Sequence, residues 1–150
     1  AGGGRVSTIV NQAVTAIVAA LQAAPAVAAS VGRVSLRPVA QASALAIIVR
    51  PVQSEASYAG DIAYGPTTWT TTVAVECYAR ASGATAPDAA VDDLLQAAYA
   101  RLAADPTLGG AVLAMYPQQV AYDFDADGEK TACATLVFSV LHSASSASLV

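Results

Sequence analysis

From Trp69 to Ala79 the chain alternates: Trp69, Val73, Val75 and Cys77 share one face, while Thr70, Thr72 and Glu76 occupy the other. This period of two predicts a half-buried strand. After a loop at Ser82-Gly83-Ala84 the period lengthens. Thr85-x-x-Asp88 with Pro87 opens a run in which Val91, Leu94, Leu95, Ala98 and Leu102 recur at helical spacing, and Asp105-Pro106 stops it. The period then returns to two. Two strand-like runs, Gln118–Phe124 and Thr131–Leu141, flank the turn-forming Asp125-Ala126-Asp127-Gly128.

The first half is less regular. Val6, Ile9, Val10, Ala13, Val14, Ile17, Val18 and Leu21 fall on one stripe, with Thr8, Asn11, Gln12, Thr15 and Gln22 opposite, so Val6–Ala24 is predicted to be an amphipathic helix. Ser7 is the expected cap, residues 1–5 a loose leader, and Pro25 the stop. Val34–Val39 and Leu45–Val52 are predicted strands, the second nearly all apolar and hence central. Gln53–Thr68 contains Gly60, Gly65 and Pro66 without periodicity and is predicted to be a long loop. Tyr58, Ile62 and Tyr64 give that segment apolar groups to dock with, which leaves two readings, an interaction arm or an ordinary loop. Residues 143–150 form a serine- and alanine-rich tail with no core pattern. The expected fold is one α+β domain over residues 1–150, a mixed or antiparallel sheet of about four to five strands with two main helices packed on it.

Composition sharpens this picture. Hydrophobic residues make up 55% of the chain, but 37 of them are alanine, which contributes little transfer energy, and only 12% of residues are charged. A surface so poor in charge suits a subunit covered by copies of itself. Ala13–Gly32 carries no charge, yet Thr15, Gln22 and Pro25 interrupt it, so neither a removed leader nor a membrane span of about 20 strongly apolar residues is expected. Before Glu55 there are four arginines (Arg5, Arg33, Arg37, Arg50) and no acid, whereas from Glu55 onward eleven acids face only Arg80, Arg101 and Lys130. The net charge of −4 is thus split into a basic third and an acidic remainder, which argues against a continuous nucleic-acid-binding surface. Complementary patches on neighbouring subunits are one reading of the split, and solvated faces without such a role are the other. Two cysteines make no disulfide framework. By parity Cys77 and Cys133 point to opposite faces, so free thiols are expected.

Candidate chemistry is sparse. Asp123-x-Asp125-x-Asp127-Gly128 opens like a calcium loop, but the position that requires a bidentate acid is Ala134, so a hairpin turn is the simpler reading. His142, the only histidine, ends a strand with the parity of Leu136, Phe138 and Val140 and is expected to be a packed or edge histidine rather than a general base or metal ligand. Lys130 and the pair Asp92-Asp93 are expected to be solvated. Without a nucleophile motif, a paired-histidine metal motif, a dinucleotide fingerprint or a phosphate loop, no enzymatic activity, cofactor or metal is expected.

Several strings together carry a likeness to one family. Trp69-Thr-Thr-Thr-Val-Ala-Val-Glu-Cys-Tyr, Asp88-Ala-Ala-Val-Asp-Asp-Leu-Leu, Ala104-Asp-Pro-Thr-Leu, Val120-Ala-Tyr-Asp-Phe-Asp-Ala-Asp and Ala134-Thr-Leu-Val-Phe resemble the tail terminator (minor tail protein U) family of lambda-like bacteriophages over Trp69–Leu141. The resemblance implies a virion protein at the head-proximal end of the tail, assembled in the host cytoplasm. It would form a homo-oligomeric ring, most often a hexamer, on the major tail tube protein, stop polymerisation and present a surface to a head-completion or connector protein. The genome would pass through the ring without sequence-specific binding, and no membrane is involved. Another phage neck or head–tail joining protein, and a small enzyme or ligand-binding domain, are the alternatives. Within a ring, Arg33, Arg37, Arg50, Tyr58, Tyr64, Asp123, Asp125 and Asp127 are the candidate interface residues. Asp123, Asp125, Asp127 and Glu129 crowd one turn, and a neighbour's arginine would relieve their repulsion.

Overall fold

The computed structural model describes residues 8–28, 30–33, 45–58, 67–80, 87–124 and 131–144. The chain folds as helix α1 (Ile9–Gln22), strands β1 (Ser30–Arg33), β2 (Leu45–Tyr58) and β3 (Thr67–Arg80), helix α2 (Pro87–Ala103), a single 3-10 turn at Leu108–Gly110, and strands β4 (Ala114–Phe124) and β5 (Thr131–Ala144). The sheet order is β1-β2-β3-β5-β4. β1 runs parallel to β2, and the other neighbours are antiparallel, so the α+β expectation holds with a mixed five-stranded sheet.

The period-two reading of β3 is realised in the ladder. Val73 pairs with Phe138, Val75 with Leu136 and Cys77 with Ala134, and all six are buried under the helices. α1 packs over β1 and β2, and α2 over β3 and β5. The five α2 residues at helical spacing, Val91, Leu94, Leu95, Ala98 and Leu102, are all buried, as are Ile9, Ala13, Val14, Ile17 and Leu21 of α1. Side chains at Thr70, Thr72 and Glu76 point to the opposite sheet face together with Thr135, Val137 and Ser139, and no described helix covers it.

Five boundaries differ from expectation. β5 runs past Leu141 to Ala144, because Thr67 and Thr68 extend β3 opposite it: Ser143 and Ala144, expected to begin the tail, pair with Thr68 and Thr67, and Ala144 is buried. Thr8 rather than Ser7 caps α1, its hydroxyl accepting from the Asn11 N–H at 3.2 Å. Gln53–Tyr58, read as the start of a long loop, continues β2, and Thr67–Thr68 already belong to β3. Those residues show no alternation because the hairpin runs past the helices, leaving residues 51–56 exposed. The ladder to Thr68–Thr72, rather than burial, holds them extended. A bulge between Pro51 and Gln53 also shifts the parity by one. The first strand is Ser30–Arg33, earlier than Val34–Val39, which lies outside the described residues. Its four residues are too few to show a period. Finally, β4 begins at Ala114, before Gln118, because a bulge at Pro117/Gln119 breaks the alternation there.

Two helices need a join, and Arg101 supplies it. The last turn of α1 carries no basic residue of its own. Arg101 reaches across from α2, donating from Nη1 to the Ala20 and Ala23 carbonyls at 2.9 and 2.8 Å and from Nη2 to the Pro25 carbonyl at 2.6 Å. One guanidinium thereby satisfies carbonyls that every helix C-terminus leaves open and places positive charge at the negative end of the helix dipole.

Candidate functional site: two opposite sheet edges

The strand order converts the uneven charge of the sequence into a spatial separation. Among the described strands β1 and β4 are the two edges of the sheet, about 19 Å apart by four ordinary strand spacings. The β1 edge, with α1 above it, is built from the acid-free first third and carries Arg33. On the β4 side exposed Asp123 lies on the edge strand itself, and exposed Asp92 and Asp93 of α2 face the groove beside it.

The residues expected at an interface fall unequally on this frame. Arg33 is exposed at the end of β1 and donates through Nη1 to Asn11 Oδ1. Asp123 is exposed near the end of β4. A single chain cannot bring these two together, since they sit on opposite edges. Arg50 is committed within the subunit: on the open sheet face its Nε lies 2.9 Å from Glu76 Oε1, and Tyr78 donates to the other oxygen of the same carboxylate at 3.0 Å. That partnership removes Arg50 from the set that needs a neighbour. Tyr58 ends β2. Arg37, Tyr64, Asp125 and Asp127, together with Glu129, lie outside the described residues.

Beside the acidic edge lies a feature that sequence reasoning missed. α2 and β4 diverge to leave a groove of about 550 Å³ lined by Leu95, Tyr99, Val120 and Leu136, with Asp92 and Asp93 on its lip. A smaller cavity of about 150 Å³ lies on the other side of Tyr99, against Met115 and Phe138. Tyr99 stacks on Phe138 with ring centroids 6.2 Å apart, yet it and Val120 stay more than a third exposed, at 37% and 38%. The available signal was an aromatic residue off the core stripe of α2 and apolar residues on an edge strand. Each is ordinary singly, and only the fold shows that they share one groove.

His142 is packed, as expected, at 2% exposure. Its Nε2 lies 2.6 Å from Thr71 Oγ1, which lies 2.8 Å from Ser54 Oγ. A neutral ring lets Thr71 donate to Nε2 while accepting from Ser54. Thr71 is fully buried, so this hydroxyl–imidazole contact is closed to substrate and ties three strands together. Burial holds the His142 pKa below its ordinary value, with the Ile9 backbone acting weakly in the opposite direction, and Nδ1 has no hydrogen-bond partner. The unfolded chain therefore takes up this proton first as pH falls below about 6.5, so the contribution of the neutral ring is complete above that pH and is lost below it. Urea unfolding between pH 7.5 and 5.5 should show stability falling with pH, with a shallower slope in His142→Gln. Equal slopes would contradict this assignment.

Both cysteines are free. Burial pushes the Cys77 thiol up to about 12, and it also raises Cys133, so neither is a reactive thiolate near neutral pH. Among the described residues no group of three or more His, Cys, Asp or Glu is placed to hold a metal, and no helix is long and apolar enough to cross a membrane.

No family model and no curated protein matches this chain. Among solved structures, a chain of the "Virion of native gene transfer agent (GTA) particle" is similar at a TM-score of 0.42 and 13% identity, with 91% of this chain and 92% of that chain covered.

Proposed function

We propose that this chain is a non-enzymatic structural subunit of a phage-like virion, a tail terminator that caps the tail tube as a closed ring and presents the head-joining surface. The observation that carries the assembly half of this reading is that exposed Arg33 lies on one edge of the described sheet and exposed Asp92, Asp93 and Asp123 on the side of the other. A subunit basic at one edge and acidic at the other attracts the next copy head to tail, and repels it in the two-fold arrangement that would set like edges together. Head-to-tail contacts close into a ring when the rotation between subunits permits. The tail-terminator half rests on the resemblance of Trp69–Leu141 to that family.

In this reading the protein acts by geometry. A ring seated on the end of the tube blocks addition of further tube subunits, and its outer face is what a head-completion protein meets. Removing the gene from the phage that encodes it should yield tubes of uncontrolled length lacking heads, restored by the protein supplied in trans. Normal-length, head-bearing tails without it would overturn the terminator role.

A further inference from the structure

Resting on the ring reading, we propose that the groove between α2 and β4 is the socket for the β1 edge of a second copy, with the incoming Arg33 set against Asp92 and Asp93. The groove has an apolar floor of Leu95 and Leu136, walls of Tyr99 and Val120, and two carboxylates on its lip. Its occupant therefore needs a cation beside a small apolar surface. Of the arginines whose side chains are described, Arg50 is held by Glu76 and Arg101 by the end of α1. Arg33 alone among these three is exposed at a sheet edge, and with one Nη1 contact to Asn11 it keeps donors for a carboxylate fork. On the same side Val52 is 51% exposed where β2 runs on past its pairing with β1, and it offers the apolar side chain.

The arrangement also explains why a second copy fits as neighbour in one orientation. Socket and plug lie on opposite edges of the sheet, so each subunit uses one of each and the contact repeats. Pro117 and the adjacent bulge interrupt the free edge of β4. Continuation of the sheet by added strand pairing is thereby blunted, and side chains in the groove carry the contact instead.

Disulfide trapping tests this directly. In a Cys133→Ser background, with Cys77 buried, Arg33→Cys and Gln96→Cys are made singly and together; Gln96 is exposed and lines the groove. Oxidation of the double variant should give a ladder of covalent oligomers. An equimolar mixture of the two single variants should stop at dimers, and each single variant alone should stay uncrosslinked. Val120→Asp, checked for an unchanged melting temperature, should weaken self-association about tenfold or more. Rings seen by electron microscopy without these crosslinks, or with Val120→Asp associating normally, would assign the groove to a different protein and overturn the socket while leaving the ring intact. Dimers from Gln96→Cys alone would overturn it in favour of a two-fold contact. Absence of both rings and crosslinks would overturn the ring reading itself.

Discussion

Arg101→Ala should lower the stability of the subunit by about 2–3 kcal/mol, the scale of hydrogen bonds made by a charged group together with its favourable place at a helix C-terminus. The residue makes three contacts to the last carbonyls of α1 and the following turn, at 2.9, 2.8 and 2.6 Å. Its loss leaves those carbonyls to water and removes a hydrogen-bonded link between α1 and α2, which still pack against each other. For a chain of 150 residues a loss of that size corresponds to a fall in melting temperature of roughly 5–10 °C. Arg101→Lys should recover only part of it, because an ammonium is a point charge and does not reproduce the fork that spans Ala20, Ala23 and Pro25. Urea unfolding of the two variants checks this, and a change below about 0.5 kcal/mol in Arg101→Ala, the scale of an unremarkable surface substitution, would show that the bridge contributes little.

Charge reversal at the acidic edge should have the larger functional effect. Replacing Asp92, Asp93 and Asp123 with lysine turns attraction between neighbouring edges into repulsion at every interface. Asp88 is left in place because its carboxylate accepts from the Ala89 N–H at 2.9 Å in the first turn of α2. Each exposed pair is typically worth only about 0.2–1 kcal/mol, so single changes are expected to be nearly silent. Three reversals acting together should weaken each contact on the order of 10–100-fold. A ring requires all its contacts at once and multiplies that loss. Circular dichroism should show a folded subunit, sedimentation should show loss of the assembly, and reversing Arg33 to glutamate in the same chain should restore association in part. Raised salt should mimic the loss in the unaltered protein, since these charges are exposed and the screening length is about 10 Å at 0.1 M. An unaltered sedimentation profile in the triple variant would rule out electrostatic edge pairing.

The parts of this fold that sequence reading recovers are those in which one face is buried. Both helices and the paired core of β3 and β5 follow from the spacing of Val91, Leu94 and Leu95, and of Val73, Val75 and Cys77, because burial imposes a period on the chain. Where burial stops, the signal stops. The outer half of β2 reads as loop in the sequence because Gln53, Ser54 and Glu55 are exposed polar residues that pair with threonines. The candidate site was legible only as a division of charge along the chain. That Arg33 and Asp123 end on opposite edges depends on the strand order, and that Arg50 is already neutralised depends on the register that sets Ile48 opposite Glu76 and Arg50 opposite Ala74. The groove beside Tyr99 arises from the divergence of α2 and β4, elements separated in sequence, and no local pattern encodes it.

The central claim is that identical subunits join head to tail into a closed ring. Negative-stain electron microscopy of the purified full chain, at concentrations high enough to drive association and at low salt, tests it most directly. Uniform rings with a central hole are expected, and they should dissolve when Asp92, Asp93 and Asp123 are reversed. Monomers or two-fold dimers alone, at every concentration and salt examined, would contradict it.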